Sequence, residues 1–436
     1  MANARLTAAR ALMRVADGGY SNIVLDAELK KAGLDERDAA FASALFYGSL
    51  ERRITIDRII SGLSSQPLEK LSPTVLEVLR LGIYQILYMD SVTDPAAVNE
   101  SVELAKAMGQ SRASGFVNGV MRSFIRAGKH IDFTGLSGAE RLSAEYSAPV
   151  WLCEKWSREY GENTASVVLG ASLGAPPIYI RVNTLKTDAE GLSQEMKAEG
   201  VAVEAVDGFP DALRIISGAP QETECYKRGL FHVQDVSSQL AVSALGAVSG
   251  SRVFDPCSAP GGKSFTAAEL MGDRGEIVAG DLHRKRAGMV ASGAKRLGIT
   301  CLSTVCGDAS VSRPELGEFD FAMCDVPCSG LGVIRRKPEI RFKKQEDMSA
   351  LPELQYRIAM AAAESLKPGG VLLYSTCTLS RAENDDVADR LVKEGGMVPA
   401  HLPEAAASYS GNGFSATLFP GEFAGDGFFF ARFIRK

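Results

Sequence analysis

The first 130 residues carry the spacing of apolar positions that is typical of short, closely joined helices. Within residues 73–88, apolar side chains recur every three or four positions, as on one face of a helix: Leu76, Leu79, Ile83 and Ile86. Ser72 followed by proline is a common helix start, and Asp94 followed by proline repeats that signal. We therefore predict an all-α bundle over residues 1–138.

Mixed helical and strand patterns follow in residues 139–235. Helical spacing continues through residues 139–172. Three short runs then have strand character, PIYIRVNTLK, LRIIS and GLFHVQD, while DAEGLSQEMKAEG has helical spacing. A module of about 60 residues buries little apolar surface by itself, so we expect this α+β module to pack on the domain that follows.

From residue 236 onward, apolar runs of strand length alternate with helical segments. The strand-like runs are SRVFD, EIVAGD, CLSTVCGD, FDFAMCD and GGVLLYST. This alternation predicts a parallel sheet covered by helices on both faces. The chain is therefore expected to be multidomain, with a helical domain at 1–138, a helical linker and α+β module at 139–235, and an α/β domain at 236–436.

Polar side chains stand at the end of every predicted strand of the α/β domain. Asp255 closes the first run, Asp281 closes the second, and Asp308 follows the third; Asp325 closes the fourth, and Cys377 follows the fifth. Ligands of open α/β sheets bind outside the carboxyl ends of the strands. These five residues therefore mark the candidate site.

The turn after the first of these strands, DPCSAPGGKSFTAAEL, contains adjacent glycines that let the backbone approach a ligand. It has neither the G-x-G-x-x-G spacing nor that of a Walker A loop. This favours a nucleoside-type cofactor without a pyrophosphate, whose ribose hydroxyls Asp281 could bind. From these residues alone, a simple tight turn with Asp281 as a helix cap is equally compatible.

The amino-acid composition limits which classes of protein are compatible with the sequence. Hydrophobic residues make up 46% and charged residues 23% of the chain, as in ordinary globular proteins. No run approaches the ~18 consecutive apolar residues of a membrane helix, and the N-terminal residues lack the apolar core of a signal peptide. We expect a cytoplasmic protein with reduced cysteines, no membrane partner and no bound metal, because the eight cysteines do not have zinc-site spacing.

The net charge is −5, which argues against a surface coated with positive charge for nucleic acid but permits a local basic strip. Residues 335–344, RRKPEIRFKK, form such a strip. Its basic residues are Arg335, Arg336, Lys337, Arg341, Lys343 and Lys344. The strip is either a solvated loop or a contact for nucleic-acid phosphates; we favour the contact because the strip directly follows the Asp-Val-Pro-Cys stretch.

Three motifs resemble those of S-adenosylmethionine-dependent RNA cytosine-5 methyltransferases: DPCSAPGGK at 255–263, DVPCSGLG at 325–332 and YSTCTL at 374–379. In addition, DPAAVNESVELAK and FVNGVMRSFIR are similar to the NusB-type RNA-binding bundle. Nearly the whole chain thus resembles the RsmB (Sun/Fmu) family, which methylates a cytosine of small-subunit (16S) ribosomal RNA. Three residues depart from the common pattern: Ser258, Lys337 and Glu339.

The resemblance implies a NusB-like all-α bundle, a small α+β RNA-binding module and a Rossmann-like class I methyltransferase domain. It implies S-adenosyl-L-methionine as cofactor, S-adenosyl-L-homocysteine as product, and small-subunit ribosomal RNA as the partner of a monomer. It also implies that Cys377 attacks carbon 6 of the cytosine, that Cys328 assists product release, and that Asp325 bonds the base edge or the cofactor amino group.

The resemblance assigns the cofactor site as well. The turn that holds the methionine end consists of Cys257, Ser258, Ala259, Pro260, Gly261, Gly262 and Lys263. Asp281 is expected to bind the ribose and Asp308 the adenine amino group, with Asp325 contributing to the same site.

Two functions of other classes remain as alternatives. A nicotinamide-dependent oxidoreductase would share the strand–helix alternation, but the G-x-G-x-x-G spacing is absent. A non-catalytic RNA-binding or antitermination scaffold would share the N-terminal bundle, but it would not need the cofactor turn or the two strand-end cysteines. The remaining cysteines are interpreted as apolar filler: Cys153, Cys225, Cys301, Cys306 and Cys324. His232 and His283 have no metal-site spacing and are interpreted as structural or surface residues.

Overall fold

The apolar spacing of the N-terminal residues gives a helical unit, as predicted. The computed structural model describes residues 4–16 and 18–436. One of its two units contains the residues up to Ala175 together with Ile334–Lys343. Its α-helices are α1 (Ala4–Ala16), α2 (Ser21–Ala32), α3 (Glu36–Glu51), α4 (Arg53–Leu63), α5 (Pro73–Tyr88), α6 (Asp94–Ala107), α7 (Ser114–Arg126), α8 (Gly138–Tyr146), α9 (Val150–Tyr160) and α10 (Glu162–Ala171).

Helix α5 lies at the centre of this unit, where it packs on α1, α3, α4, α6 and α7. It begins directly after Ser72, as predicted. Three of the four residues predicted to share its apolar face are buried and the fourth is half-buried: Leu79, Ile83, Ile86 and Leu76. Burying each such side chain stabilises the fold by about 1.5–3 kcal/mol, so this face accounts for much of the packing of the bundle.

The segment Ile334–Lys343, which carries most of the basic strip, belongs to the helical unit. Arg341 is only 1% exposed. Its guanidinium donates to the carbonyl oxygens of Glu51 and Ser147, both at 2.9 Å, and of Ser172 at 3.4 Å. These carbonyls lie at the ends of α3, α8 and α10, where a cation is favourable.

The prediction that Arg341 contacts RNA phosphate is therefore wrong, because its side chain is buried and both terminal nitrogens of its guanidinium donate to backbone carbonyls. A run of basic letters does not distinguish a solvated side chain from one that closes helix ends. The other basic residues of the strip differ: Arg335 and Arg336 are half-buried, whereas Lys337, Lys343 and Lys344 are exposed.

The second unit comprises Pro176–Val333 and Lys344–Lys436 and begins with the small α+β module. The elements of this module are β1 (Ile178–Val182), α11 (Ala189–Ala198), β2 (Ala202–Val206), β3 (Phe209–Ser217), α12 (Glu224–Lys227) and β4 (Phe231–Val233). The four strands form an antiparallel sheet in the order β2-β3-β1-β4. The sequence pattern missed β2, an edge strand with no buried side chain and therefore no clear alternation.

Strand–helix alternation gives the larger part of the unit. Its elements are α13 (Val236–Leu245), β5 (Arg252–Asp255), α14 (Gly262–Leu270), β6 (Glu276–Asp281), α15 (Arg284–Leu297), β7 (Leu302–Cys306), β8 (Phe319–Asp325), α16 (Leu351–Glu364), β9 (Leu366–Thr376), α17 (Asp385–Lys393), β10 (Val398–Pro399), α18 (Glu404–Ala407), β11 (Ser415–Leu418) and β12 (Phe428–Ile434). The sheet order is β7-β6-β5-β8-β9-β12-β10, and β11 also pairs with β12.

All five predicted strands are present, and β5 to β9 are parallel. Strands β10, β11 and β12 were not predicted; they pair antiparallel and make the sheet mixed. A parallel crossover needs a dozen or more residues, usually a helix, whereas β11 and β12 are joined by a short connection.

Helices cover both faces of this sheet, as predicted. One core contains Leu240 of α13, Phe265 of α14 and Val290 of α15. The core on the other face contains Ile358 of α16 and Leu391 of α17. No helix within residues 4–16 and 18–436 is both long enough and apolar enough to span a membrane.

The contacts group α8 to α10 with the N-terminal helices and the α+β module with the larger sheet. The boundary between the two units therefore lies after Ala175. The domain limits at 138 and 235 stay predictions.

The burial of Arg341 leads to a stability prediction. Arg341→Ala leaves three carbonyls without their donor, so we expect it to lower the free energy of unfolding by about 3 kcal/mol. Thermal unfolding of the full chain, followed by far-UV circular dichroism, measures the effect. Lys337→Ala is the matched control, since an exposed side chain of the same segment should change stability by about 0.5 kcal/mol or less. Equal effects of the two substitutions would contradict the structural role of Arg341.

Candidate active site

The sheet places Asp255 and Asp325 at the carboxyl ends of adjacent strands, β5 and β8. From β5 the chain continues through β6 and β7 on one side, and β8 and β9 lie on the other side. Such a reversal of strand order opens a crevice where α/β proteins bind ligands. The strand-end residues predicted from the sequence thus lie at the position that the topology favours for a site.

The two candidate catalytic cysteines lie side by side. Cys328 follows β8, Cys377 follows β9, and their sulfur atoms are 3.2 Å apart. Parallel pairing of the two strands, with Asp325 opposite Ser375, brings their loops together. The Gly332 amide adds a hydrogen bond of 3.1 Å to the carbonyl oxygen of Cys377.

The two thiols have different electrostatic surroundings. The pKa of Cys328 is raised well above its ordinary value, first by its hydrogen bond with Cys377, then by burial, and further by the charges of Cys377, Glu383 and Asp325. Cys328 is therefore a neutral thiol near neutral pH. A neutral thiol can donate its proton to the neighbouring sulfur.

Lys263, in the first turn of α14, brings a cation to the same place. Its ammonium group donates to Asp325 Oδ2 at 2.7 Å, and the hydroxyl of Ser375 donates to Asp325 Oδ1 at 3.1 Å. Burial lowers the pKa of Lys263, but the charge and hydrogen bond of Asp325, followed by the charge of Cys377, raise it above its ordinary value. Sequence reasoning assigned Lys263 only to the cofactor turn and missed its ion pair with Asp325.

The glycine-rich turn is fixed against the next strand. The backbone amide and hydroxyl of Ser258 donate to the carbonyl oxygen of Gly280 at 2.8 and 2.9 Å. Gly261 has a φ of +113°, and a Cβ there would lie 2.3 Å from the ring of Phe265. Only glycine therefore suits this position.

A cleft of about 190 Å³ opens between this turn and the end of β8. Of the predicted cofactor residues, Cys257, Ser258, Ala259, Pro260, Gly262, Lys263 and Asp325 line it. Gly261, Asp281 and Asp308 are not among its lining residues.

Asp281 is 3% exposed and lies beside the turn rather than in the cleft. Its Oδ1 accepts from the backbone amide of His283 at 2.9 Å, and its Oδ2 lies 3.4 Å from Arg286, which in turn donates to the Ala259 carbonyl at 3.1 Å. Asp308 is exposed, and hydrogen bonds from Ser310 lower its pKa. The cofactor roles of both carboxylates stay predictions.

Comparison with known proteins decides the family. The 16S rRNA methyltransferase RsmB/F family model matches residues 242–434, the NusB family matches 2–126, and the RsmF/B-like ferredoxin-like domain matches 148–221. The chain is 36% identical over 426 residues to the "Probable ribosomal RNA small subunit methyltransferase B" of Bacillus subtilis (strain 168), covering 96% of this chain and 95% of that protein.

This chain belongs to the RsmB family. A second RsmB-family relative, the "Ribosomal RNA small subunit methyltransferase B" of Salmonella paratyphi B, is 31% identical over 442 residues and covers 100% of this chain and 99% of its own length. The crystal structure of PH0851 is similar, with a TM-score of 0.80 and 25% identity, and it covers 99% of each chain. The family and the three-part fold predicted from the sequence are thereby confirmed.

Two residues of this RsmB-family site were not predicted: Glu383 and Asn384, at the start of α17. Both are buried, and both form hydrogen bonds to residues beside the two candidate catalytic cysteines. The available signal was the sequence RAEND, where two polar residues open a helix just after the Tyr-Ser-Thr-Cys-Thr-Leu motif. A helix start explains such letters equally well, so the sequence did not single them out. Within residues 4–16 and 18–436, no group of three or more His, Cys, Asp or Glu side chains is arranged to hold a metal ion.

The titration of the buried Asp255 carboxyl moves into the neutral range. Burial raises its pKa to about 7, although a hydrogen bond from Ser264 and the charge of Lys263 act in the other direction. An unfolded chain releases the same proton near the ordinary value of about 3.9. Between about pH 4 and pH 7 the folded state thus binds more protons, and stability falls as pH rises through that window.

Asp255→Asn removes this titration. We therefore expect the stability of the variant relative to wild type to rise by about 2–3 kcal/mol between pH 5 and pH 8. Urea unfolding at both pH values measures the difference. Asp308→Asn is the control, because Asp308 already titrates below this window. Parallel pH curves for Asp255→Asn and wild type would show that Asp255 titrates normally.

Proposed function

We propose that this chain transfers a methyl group from S-adenosyl-L-methionine to carbon 5 of a cytosine in small-subunit ribosomal RNA. The proposal is supported most directly by the two thiols, 3.2 Å apart, at the ends of adjacent strands. Membership of the RsmB family and the names of its relatives support the RNA substrate.

The reaction explains why a site would contain two thiols. Carbon 5 of cytosine is a poor nucleophile while the ring is aromatic. Addition of a thiolate to carbon 6 makes carbon 5 an enamine carbon, so one difficult step becomes two easier ones. After methylation, the carbon 5 proton must leave and the bond between sulfur and carbon 6 must break.

The electrostatics favour Cys377 as the nucleophile and Cys328 as the group that assists release. The raised pKa of Cys328 keeps that thiol neutral, first because of its hydrogen bond with Cys377. The Lys263 ammonium, by contrast, interacts favourably with charge on Cys377. A nearby cation is what a thiolate nucleophile requires. Asp325, held by Lys263 and Ser375, is positioned to bond the base edge or the cofactor amino group.

S-adenosyl-L-methionine would supply the methyl group, and S-adenosyl-L-homocysteine would be the product. The residues present fit such a group: the cleft beside the glycine turn is lined by backbone and by the side chains of Lys263 and Asp325. The turn would hold the methionine end, Asp281 the ribose and Asp308 the adenine amino group. A nicotinamide cofactor fits less well, because the turn lacks the glycine spacing that binds a pyrophosphate.

The RNA contacts are proposed from charge. The exposed Lys337, Lys343 and Lys344, with the half-buried Arg335 and Arg336, are proposed to bind phosphates. The NusB-like bundle and the α+β module would supply the remaining contacts. The target base must leave its stack to reach a thiol, which the enzyme achieves by flipping it out.

Substitution of each cysteine separates making the covalent bond from breaking it. Cys377→Ala should bind RNA but form no covalent adduct, and turnover should vanish. Cys328→Ala should methylate once and then remain joined to RNA through Cys377, since it lacks the group that assists release. A denaturing gel with RNA and S-adenosyl-L-methionine shows the conjugate.

Cys301→Ala, at the opposite end of β7 from the site, is the control and should turn over without a conjugate. A conjugate with Cys377→Ala but none with Cys328→Ala would reverse the two roles. If neither variant forms one, the proposed covalent mechanism fails.

The ribose role of Asp281 is tested by affinity. Asp281→Ala should weaken S-adenosyl-L-methionine binding about tenfold or more, if a charged hydrogen bond worth about 1.5–3 kcal/mol is lost. Isothermal titration calorimetry measures the dissociation constant. Unchanged affinity, in a variant whose thermal stability is close to that of wild type, would remove Asp281 from the cofactor site.

A further inference from the structure

Both cysteine loops are tied to one dipeptide, Glu383-Asn384, at the start of α17. The carboxylate of Glu383 is buried, with the residue only 3% exposed. Its Oε2 accepts from the backbone amide of Ser329 at 2.8 Å, and its Oε1 accepts from the Ser329 hydroxyl at 2.6 Å. Ser329 directly follows Cys328, so Glu383 fixes one neighbour of that thiol.

The other neighbour of Cys328 is fixed through the same carboxylate. Gln355 of α16 donates from its side-chain amide to the Pro327 carbonyl at 3.0 Å and to Glu383 Oε2 at 2.9 Å. The Ser329 amide, the Ser329 hydroxyl and the Gln355 side-chain amide all donate to the Glu383 carboxylate, which acts only as an acceptor. The backbone on both sides of Cys328 is thereby held against α16 and α17.

Asn384 does the same for Cys377. The hydroxyl of Thr376 donates to Asn384 Oδ1 at 2.6 Å, and Asn384 Nδ2 donates to the Thr378 carbonyl at 2.9 Å. Asn384, Thr376 and Thr378 are each 0% exposed. These two threonines flank Cys377, so both neighbours of this thiol are fixed as well.

One further bond joins the two loops directly. The hydroxyl oxygens of Ser329 and Thr378 are 2.6 Å apart. Since the Ser329 hydroxyl donates its proton to Glu383, the Thr378 hydroxyl is the donor in this pair. Ser329 and Thr378, the residues that follow the two cysteines, are therefore hydrogen-bonded to each other.

We propose that Glu383 and Asn384 are positioning residues that hold the Cys328 and Cys377 loops so that the two sulfur atoms stay in hydrogen-bond contact. This inference rests on the proposed function in giving both sulfurs a catalytic role. Neither residue is proposed to touch the substrate. Their effect on the reaction comes through the loops, where a misplacement of about 1 Å can cost about 10²-fold in rate.

Two substitutions separate position from charge. Asn384→Ala removes the bonds to Thr376 and Thr378 without changing the charge of the site. Glu383→Gln removes the negative charge but can keep the bonds, because the Ser329 hydroxyl can turn to accept from the new amide and donate to Thr378. Glu383→Ala removes both charge and bonds.

The direct readout is the pH dependence of thiol alkylation in the full chain, with iodoacetamide as the probe and each cysteine quantified by peptide mass spectrometry. In wild type, Cys328 should react only well above its ordinary range, chiefly because of its contact with Cys377. Glu383, Asp325 and Cys377 act in the same direction, and Lys263 lies nearby with opposite charge.

Asn384→Ala should shift the alkylation midpoint of Cys328 down toward about 8.5, since the sulfur contact is lost while the charges remain. It should also lower kcat by about 10²-fold with little change in the KM for S-adenosyl-L-methionine. Glu383→Gln should retain a raised midpoint and keep kcat within about tenfold of wild type, whereas Glu383→Ala should behave like Asn384→Ala.

Glu269→Gln is the matched control. It removes another buried carboxylate of the same unit, one that pairs with Arg181 rather than with the cysteine loops. It should lower thermal stability without moving the Cys328 midpoint. If Glu383→Ala does not fold, Asn384→Ala and Glu383→Gln still decide the question.

Two results would overturn the inference: a wild-type midpoint and kcat in Asn384→Ala, or a Glu383→Gln variant as impaired as Glu383→Ala. The alkylation experiment contains neither RNA nor cofactor. A failure of the proposed reaction would instead appear as wild-type protein that does not methylate ribosomal RNA, so the two failures are distinguishable.

Discussion

The parallel pairing of β8 with β9 is the constraint on which the site depends. Backbone hydrogen bonds place Asp325 opposite Ser375, and three residues later on one strand and two on the other come Cys328 and Cys377. A shift of register by one residue would turn every side chain of a strand to the other face. The buried residues on both faces of the sheet are packed against their neighbours in this register, so the packing of the core also supports the separation of the two sulfurs.

The charged side chains at the strand ends also determine the properties of the site. Asp255, Lys263 and Asp325 lie within one small region at the strand ends, and Lys263 is the cation among them. Asp255 is buried and Asp325 is partly exposed, and one ammonium group beside two carboxyls does not keep both of them ionised at low cost. The geometry resolves this by giving Lys263 a direct bond to Asp325, while burial raises the pKa of Asp255 to about 7. The ion pair of Lys263 with Asp325 and the raised pKa of Asp255 are therefore two consequences of the same arrangement.

Much of the fold and of the candidate site could be predicted from the sequence, because these features depend on local sequence patterns. Strands β5 to β9 lie in apolar runs of strand length, and the turn or loop that follows each run marks its carboxyl end, so Asp325, Cys328 and Cys377 could be placed at the same edge of the sheet. What could not be predicted depends on long-range contacts. Arg341 closes helix ends that are 169 to 290 residues away in sequence, and β12 joins the sheet edge antiparallel to a strand more than fifty residues earlier.

The same limit explains why Glu383 and Asn384 were missed although they stand only a few residues after Cys377. On the other loop, Ser329 donates to Glu383 directly, and Pro327 is linked to Glu383 only through Gln355; these contacts form only after β8 and β9 have paired. The local sequence pattern indicates that a helix begins there, but it does not indicate which loop residues Glu383 and Asn384 contact.

The sulfur contact has a last consequence for the chemistry. Two thiolates 3.2 Å apart would repel strongly in a partly buried site, so the pair retains one proton when the first thiolate forms. The charges of Glu383 and Asp325 disfavour the thiolate form of Cys328, so we expect the proton to stay on that sulfur. The charge then falls on Cys377, whose interaction with Lys263 is favourable. In the proposed mechanism, a nucleophile and a proton-bearing partner thus arise from two chemically identical groups, because the loops hold them in contact and the nearby charges favour the thiol form of Cys328.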